Sequence, residues 1–194
     1  MLIQRAAWKT QPWKNGRGIT HEIWRYKTSE GTTTADDYDL RLSVAEIDGA
    51  QPFSLFAGYD RLLLPLADSP LQLEIGAQRT PIRKHAGIYF PGDIVVATVG
   101  EGHAIDLNVI QRQASSGGRV HATVAVTEPL RASPVLWAAT VTRPLAVFAL
   151  EPCTLVGSVA GAPAANSLAQ FDTYIVLSGP VDLTSDVPVV WIRL

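Results

Sequence analysis

Apolar residues recur along this chain mostly at every second position, the spacing that sends side chains alternately to the two faces of a strand. Asp39-Leu40-Arg41-Leu42-Ser43-Val44-Ala45 and Arg119-Val120-His121-Ala122-Thr123-Val124-Ala125-Val126 alternate throughout, and Ala104-Ile105-Asp106-Leu107-Asn108-Val109-Ile110 alternates in part. Shorter solid runs, Arg61-Leu62-Leu63-Leu64, Ile94-Val95-Val96-Ala97 and Tyr174-Ile175-Val176-Leu177, read as strands buried on both faces. Turn signals fall between them at Asp48-Gly49, Pro91-Gly92-Asp93, Gly100-Glu101-Gly102 and Ser178-Gly179-Pro180. No amphipathic helix of three turns is predicted. Many short strands with this punctuation predict an all-β sandwich or barrel.

Two segments read as loops: the polar stretch from Thr28 to Asp37, and Gln113 to Gly118, whose Gln-Ala-Ser-Ser-Gly-Gly sequence has the composition of a flexible connection. The second divides the chain into residues 1–113, a connector at 113–118, and residues 119–194. An internal likeness crosses it. Tyr59 to Leu73 aligns with Phe171 to Leu183, each running aromatic-Asp, apolar strand, proline turn and alternating return strand. The expectation is two copies of one small barrel, the second trimmed.

Composition narrows the function classes. With 16 basic and 18 acidic residues the net charge is −2, and no basic run exceeds Arg83-Lys84, so no nucleic-acid partner is expected. The longest uncharged stretch, from Pro152 to Phe171, is broken by glycine, proline and polar residues, which argues against a membrane span. The first residues lack the pattern of a signal peptide, and the expected location is the cytoplasm. The single cysteine, Cys153, leaves no disulfide or cysteine-cluster metal site within the chain and is expected to be an inert core residue.

The register of polar residues marks a candidate site. Period two places Arg41, Ser43 and Ala45 on one face and Leu42 and Val44 on the other, and it gives Asp106, Asn108 and Arg112 a common face opposite Leu107 and Val109. Pointed inward, these faces make a small polar cavity, and short Ser43 and Ala45 beside Arg41 leave it room. Arg61, at the head of an apolar strand, reaches the same mouth or bridges Asp60 or Asp106. Asn15-Gly16-Arg17-Gly18 either curls its N–H groups around an anion or forms a tight turn. No GxSxG elbow is present.

Four blocks, Pro12-Trp13-Lys14-Asn15-Gly16-Arg17-Gly18-Ile19-Thr20-His21-Glu22-Ile23, Leu40 to Ala45, Pro52-Phe53-Ser54-Leu55-Phe56-Ala57-Gly58-Tyr59-Asp60-Arg61 and Asp106-Leu107-Asn108-Val109-Ile110-Gln111-Arg112, resemble the HutD/Ves family in their order. Arg17 and Gln111 depart from its usual glycine and basic residue. The resemblance implies a bicupin, two cupin-like (RmlC-like, jelly-roll) barrels in one chain, linked to histidine utilisation or stress response and binding a small carboxylate. Metal-dependent cupins carry an HxH pair, a later glutamate and a further histidine. Here His21, His85, His103 and His121 are dispersed, and Val95 or Val96 stands where the last histidine would fall, so neither metal nor other cofactor is expected.

The reading is a non-catalytic, metal-free bicupin that binds a small carboxylate such as urocanate, N-formylglutamate or formate, with Asn15, Arg41, Ser43, Arg61 and Asn108 as ligand-binding residues. It allows for a homodimer. The alternative is a cupin-fold enzyme, an isomerase or hydrolase, using Glu22, Asp60 or Asp106 for acid–base chemistry. A third class is a module that only binds other proteins.

Overall fold

A computed structural model describes residues 1–27, 38–68, 71–113, 123–126, 135–141 and 144–193. The expected loop at 28–37, connector residues 114–118 and His121 lie outside these. The chain forms two compact units, Lys9–His121 and Met1–Trp8 together with Ala122–Leu194. Apart from one short 3₁₀ turn at Arg5–Ala7, the described elements are strands, so the fold is all-β. No described helix is long and apolar enough to cross a membrane.

In chain order the strands are β1 Leu2–Ile3, β2 Lys9–Pro12, β3 Gly18–Tyr26, β4 Leu40–Asp48, β5 Gln51–Pro52, β6 Tyr59–Pro65, β7 Leu71–Ile75, β8 Gln78–Ile82, β9 Ile88–Pro91, β10 Val96–Thr98 and β11 His103–Arg112. They continue with β12 Thr123–Val126, β13 Val135–Val141, β14 Leu145–Ala149, β15 Cys153–Val159, β16 Ala162–Leu168, β17 Thr173–Val176, β18 Gly179–Ser185 and β19 Val189–Arg193.

The first unit holds a six-stranded sheet, ordered β2-β3-β4-β11-β6-β9, and a four-stranded sheet, β5-β10-β7-β8. Every pairing is antiparallel. Its core joins Ala45, Ile47, Leu63 and Phe90 of the larger sheet to Leu71, Leu73, Ile82 and Val96 of the smaller. Each such side chain, once buried, is worth about 1.5–3 kcal/mol if large. The register places Arg41, Ser43, Ala45 and Ile47 on this core-facing side, with Asn108 opposite Ser43 and with Ile110 opposite both Arg41 and Arg61. The polar face predicted from periodicity is therefore continuous with the apolar core. Leu42, Val44, Leu62, Leu64, Leu107 and Val109 on the other side are buried as well.

The second unit repeats the two-sheet plan with orders β1-β17-β14-β19-β12 and β13-β18-β15-β16. Its core includes Leu145, Val147, Leu155, Leu183, Val189 and Trp191. The two segments that align in sequence behave alike: β6 lies in the larger sheet and β7 in the smaller of one unit, while β17 and β18 divide the same way in the other. What reads in sequence as a hairpin is thus a crossing between sheets. Among the described residues none of the four sheets closes on itself. The run Ile94 to Ala97 is not buried on both faces: the Pro91-Gly92-Asp93 turn delays the strand to Val96, and Val95 is 64% exposed.

Candidate functional site

At the polar end of the six-stranded sheet's inner face lies a cavity of about 450 Å³. All five residues singled out from sequence line it: Asn15 from the β2–β3 turn, Arg41 and Ser43 from β4, Arg61 from β6 and Asn108 from β11. Trp13, Lys14, Thr20, Phe53, Ser54 and Phe56 complete much of the wall. Among the described residues no Asp, Glu, His or Cys lines it.

Arg61 is the dominant group. It is 5% exposed, donates from Nη2 to Asn108 Oδ1 at 2.6 Å and from Nη1 to the Ser54 carbonyl at 3.3 Å, and leaves Nε without a partner among the described residues. Its guanidinium is surrounded by the rings of Phe53, Phe56 and Phe90 at 4.9, 5.4 and 5.3 Å. Burial pushes its pKa down to about 10, with Asp106 and Tyr38 working against the shift, so it remains cationic at neutral pH. The direct Arg61–Asp bridge open from sequence is not made: its hydrogen bonds go to neutral oxygens.

Behind Asn108 sits Asp106, fully buried and outside the cavity lining. Asn108 donates to its Oδ1, and Oδ2 has no partner among the described residues. Burial raises the Asp106 carboxyl to about 7, against the pull of Arg61 and Asn108. A carboxyl held near neutrality only partly offsets the Arg61 charge.

Arg41 is placed differently. Its Nε lies 3.3 Å from Glu22 Oε2, which also accepts from Arg25 Nε at 2.5 Å. A register shift between Glu22 and Trp24 makes this cluster. In a regular strand, residues three apart face opposite sides, and the bulge turns Arg25 to the side of Glu22, opposite Arg41.

Asn15-Gly16-Arg17-Gly18 is a turn. Gly16 has φ +68, its N–H bonds the Trp13 carbonyl at 3.0 Å, and the Arg17 N–H goes to Asn15 Oδ1 at 3.0 Å. Those two N–H groups are spent, so they do not cradle an anion. Asn15 also donates to Gln51 Oε1 at 2.8 Å, which makes it a wall whose polar atoms are largely engaged. Arg112, grouped by period with Asn108, lies outside the cavity, where it donates to Asp39 at 3.1 Å and to the Tyr38 carbonyl at 3.0 Å. The aromatic walls were not singled out, although Trp13, Phe53 and Phe56 stand within the blocks Pro12 to Ile23 and Pro52 to Arg61 that carry the family resemblance.

None of the described histidines lines the cavity. His21 bonds Thr10 and Glu46, each at 3.0 Å, and His103 bonds Asp48 at 2.8 Å. Among the described residues no group of three or more His, Cys, Asp or Glu is arranged to hold a metal. Cys153 is buried, and burial raises its thiol pKa.

The HutD family model matches residues 5–186. A 21.2 kDa protein from the hutC 3' region of Pseudomonas putida is 35% identical over 111 residues, 56% of each chain, and the Ves protein of Citrobacter koseri is 36% identical over 104 residues, 52% of each. The chain thus spans about half the length of the curated relatives it matches. HutD from Pseudomonas fluorescens, solved in a formate condition, superposes with TM-score 0.80 at 23% identity, covering 100% of this chain and 96% of that one. A conserved protein from Pseudomonas aeruginosa gives 0.79 at 27% identity, covering 100% and 97%. A cupin 2 conserved barrel domain protein from Leptotrichia buccalis gives 0.55 at 8% identity, covering 100% and 96%, which places the fold among cupins.

Proposed function

The chain belongs to the HutD family, and from that premise we propose that it is a bicupin, two cupin barrels joined near residues 113–118, whose first barrel binds a small carboxylate without transforming it. The carrying observation is Arg61: a buried guanidinium, held by neutral oxygens and framed by three phenyl rings, faces a cavity. A buried cation without a directly bonded carboxylate is costly, and a ligand carboxylate forming two parallel bonds to the guanidinium offsets that cost. Ser43 and Asn108 supply neutral hydrogen bonds, Arg41 a second charge, and Trp13, Phe53 and Phe56 flat apolar walls.

Among the described residues the lining has no carboxylate or imidazole to act as base or to activate Ser43 or Ser54, which favours binding over acid–base catalysis. The relative from a hutC 3' region favours an accessory, metabolite-sensing role in histidine utilisation, with urocanate, N-formylglutamate or formate as the ligands. The role needs no metal and is suited to the cytoplasm. Calorimetric titration of the three compounds into the purified protein tests it. Saturable one-to-one binding of at least one supports it, and no heat from any of them at millimolar concentration overturns it.

A further inference from the structure

Trp13 lines the cavity from the β2–β3 turn, and both its backbone and its ring are held. Its N–H bonds the Gly18 carbonyl at 2.8 Å, its carbonyl accepts from the Gly16 N–H at 3.0 Å, and its indole Nε1 donates to Thr20 Oγ1 at 2.8 Å. A further hold is steric. A Cβ on Gly18 would lie 2.8 Å from Cδ2 and Cε3 of the indole and 2.9 Å from the Glu46 carbonyl oxygen. Gly18 is a buried strand residue without a positive φ, so the glycine there serves the close approach of the ring and not a turn. The indole is thus fixed before any ligand arrives, with its rotamer freedom already lost.

The other aromatic walls are committed to the cation. Phe53 and Phe56 stand against the Arg61 guanidinium at 4.9 and 5.4 Å. Trp13 carries neither a cation nor a second ring among the described residues. The register sets the span between this plate and the guanidinium. Thr20, which anchors the indole, lies opposite Ala45, while Asn108, which holds Arg61, lies opposite Ser43. The two anchors are therefore two strands and two residues apart, about 12 Å along the sheet. Trp13 and Arg61 both reach from there into one cavity of about 450 Å³. A ligand that ends at its carboxylate stays at Arg61, whereas one with a flat body of a ring's length extends to Trp13.

We propose that Trp13 is a specificity-determining residue and that the ligand is a flat, conjugated carboxylate, its carboxylate on Arg61 and its π face on the indole. This rests on the carboxylate reading above and deepens it: the conjugated body, not the carboxylate alone, is selected, which favours urocanate over formate and the saturated chain of N-formylglutamate. A flat acid stacks on a fixed ring without changing shape. A saturated chain offers no π face and must lose torsional freedom to lie against the indole.

The test is calorimetric titration of three pairs of acids, cinnamate with hydrocinnamate, sorbate with hexanoate and urocanate with dihydrourocanate, into wild type, Trp13→Leu and Thr20→Val, with thermal melts of each protein. Leucine keeps apolar bulk without a flat face, and valine keeps the shape of Thr20 without the oxygen that anchors Nε1. In wild type the flat acid of at least one pair should bind about three- to tenfold more tightly than its partner, the fold-change for one aromatic stack. In each folded variant that ratio should fall toward one while both acids still bind, because Arg61 is untouched. Thr20→Val carries the test if Trp13→Leu does not fold. Equal affinity within every pair, or a preference that survives in the folded variants, overturns the role of Trp13 and leaves the carboxylate reading standing. Failure of all six acids to bind overturns both.

Discussion

Arg61 gives its Nη2 hydrogen to Asn108 Oδ1 at 2.6 Å, while the Asn108 amide gives its own to Asp106. The asparagine therefore stands between a cation and a carboxyl that would otherwise pair directly. Its orientation is fixed from behind by Asp106, and its oxygen holds the guanidinium at the cavity wall. A direct Asp–Arg bridge would leave less charge for a ligand.

Asp106 should make both stability and binding depend on pH. An unfolded aspartate titrates near 3.8 and the folded one near 7, so between these values the native protein holds a proton that the unfolded chain has released. The Asp106 contribution to stability therefore falls as pH rises from about 4 to about 7 and levels off above. Denaturant midpoints at pH 5 and pH 8 should show a smaller loss in Asp106→Asn than in wild type. Carboxylate affinity should also decline through pH 7, because an ionised Asp106 neutralises Arg61 from within. Identical pH profiles for the two proteins would remove Asp106 from this role.

The loop carrying Ser54 and Phe56 depends on Gly92. The Phe56 N–H bonds the Gly92 carbonyl at 2.6 Å, the Gly92 N–H bonds the Tyr59 carbonyl at 2.7 Å, and a Cβ on residue 92 would sit 2.5 Å from the Phe56 oxygen and 2.8 Å from the Tyr59 oxygen. Backbone cannot yield there as a flexible side chain can. Gly92→Ala should cost about 1–3 kcal/mol of stability and weaken ligand binding by moving Phe56 and Ser54. An unshifted melt would show that the loop is not held as described.

Much of this was legible in the sequence because strand periodicity is a hard geometric constraint. Once Leu42 and Val44 occupy one face, Arg41 and Ser43 must occupy the other, and the structure places both on the cavity wall. Arg112 escaped the rule because it ends its strand, where Asp39 and the Tyr38 carbonyl draw it aside. The aromatic walls were obscured for a different reason: Phe53 and Phe56 lie in an irregular loop, where no period assigns a face. Nor did periodicity reveal the side shared by Glu22 and Arg25, since a bulge shifts the register by one residue without a change in composition.

The purified protein should contain no stoichiometric transition metal. His21 and His103 are engaged with Glu46 and Asp48 and do not line the cavity. Elemental analysis finding about one equivalent of iron, zinc, manganese or nickel per chain would contradict this.

A fragment from Val120 to Leu194 should not fold by itself. It is small, and it lacks the residues that complete its own unit: β1 pairs with β17, the Met1 amino group donates to the Ile175 carbonyl at 2.7 Å, and the Arg5 N–H reaches buried Asp172 at 2.9 Å. Arg5 also stacks over Phe171 at 5.4 Å. Circular dichroism melts distinguish the cases, and a cooperative transition in the isolated fragment would overturn the expectation.

The sharpest prediction separates the two arginines. Arg61 makes no direct ion pair in the native protein, so Arg61→Met, which keeps much of the apolar bulk among Phe53, Phe56 and Phe90, removes a buried charge without breaking a salt bridge. It should melt close to wild type yet lose about 2–5 kcal/mol of carboxylate binding, the range for one partner of a desolvated charged pair. Arg41→Ala differs, because it also leaves Glu22 with Arg25 as its remaining arginine partner. It should lower the melting temperature modestly and weaken binding by less than the Arg61 change. Parallel calorimetry and melts on both variants decide the matter. Wild-type affinity in a folded Arg61→Met protein would remove the anchor from the site, whereas lost binding with an unchanged melt assigns the ligand's carboxylate to that guanidinium.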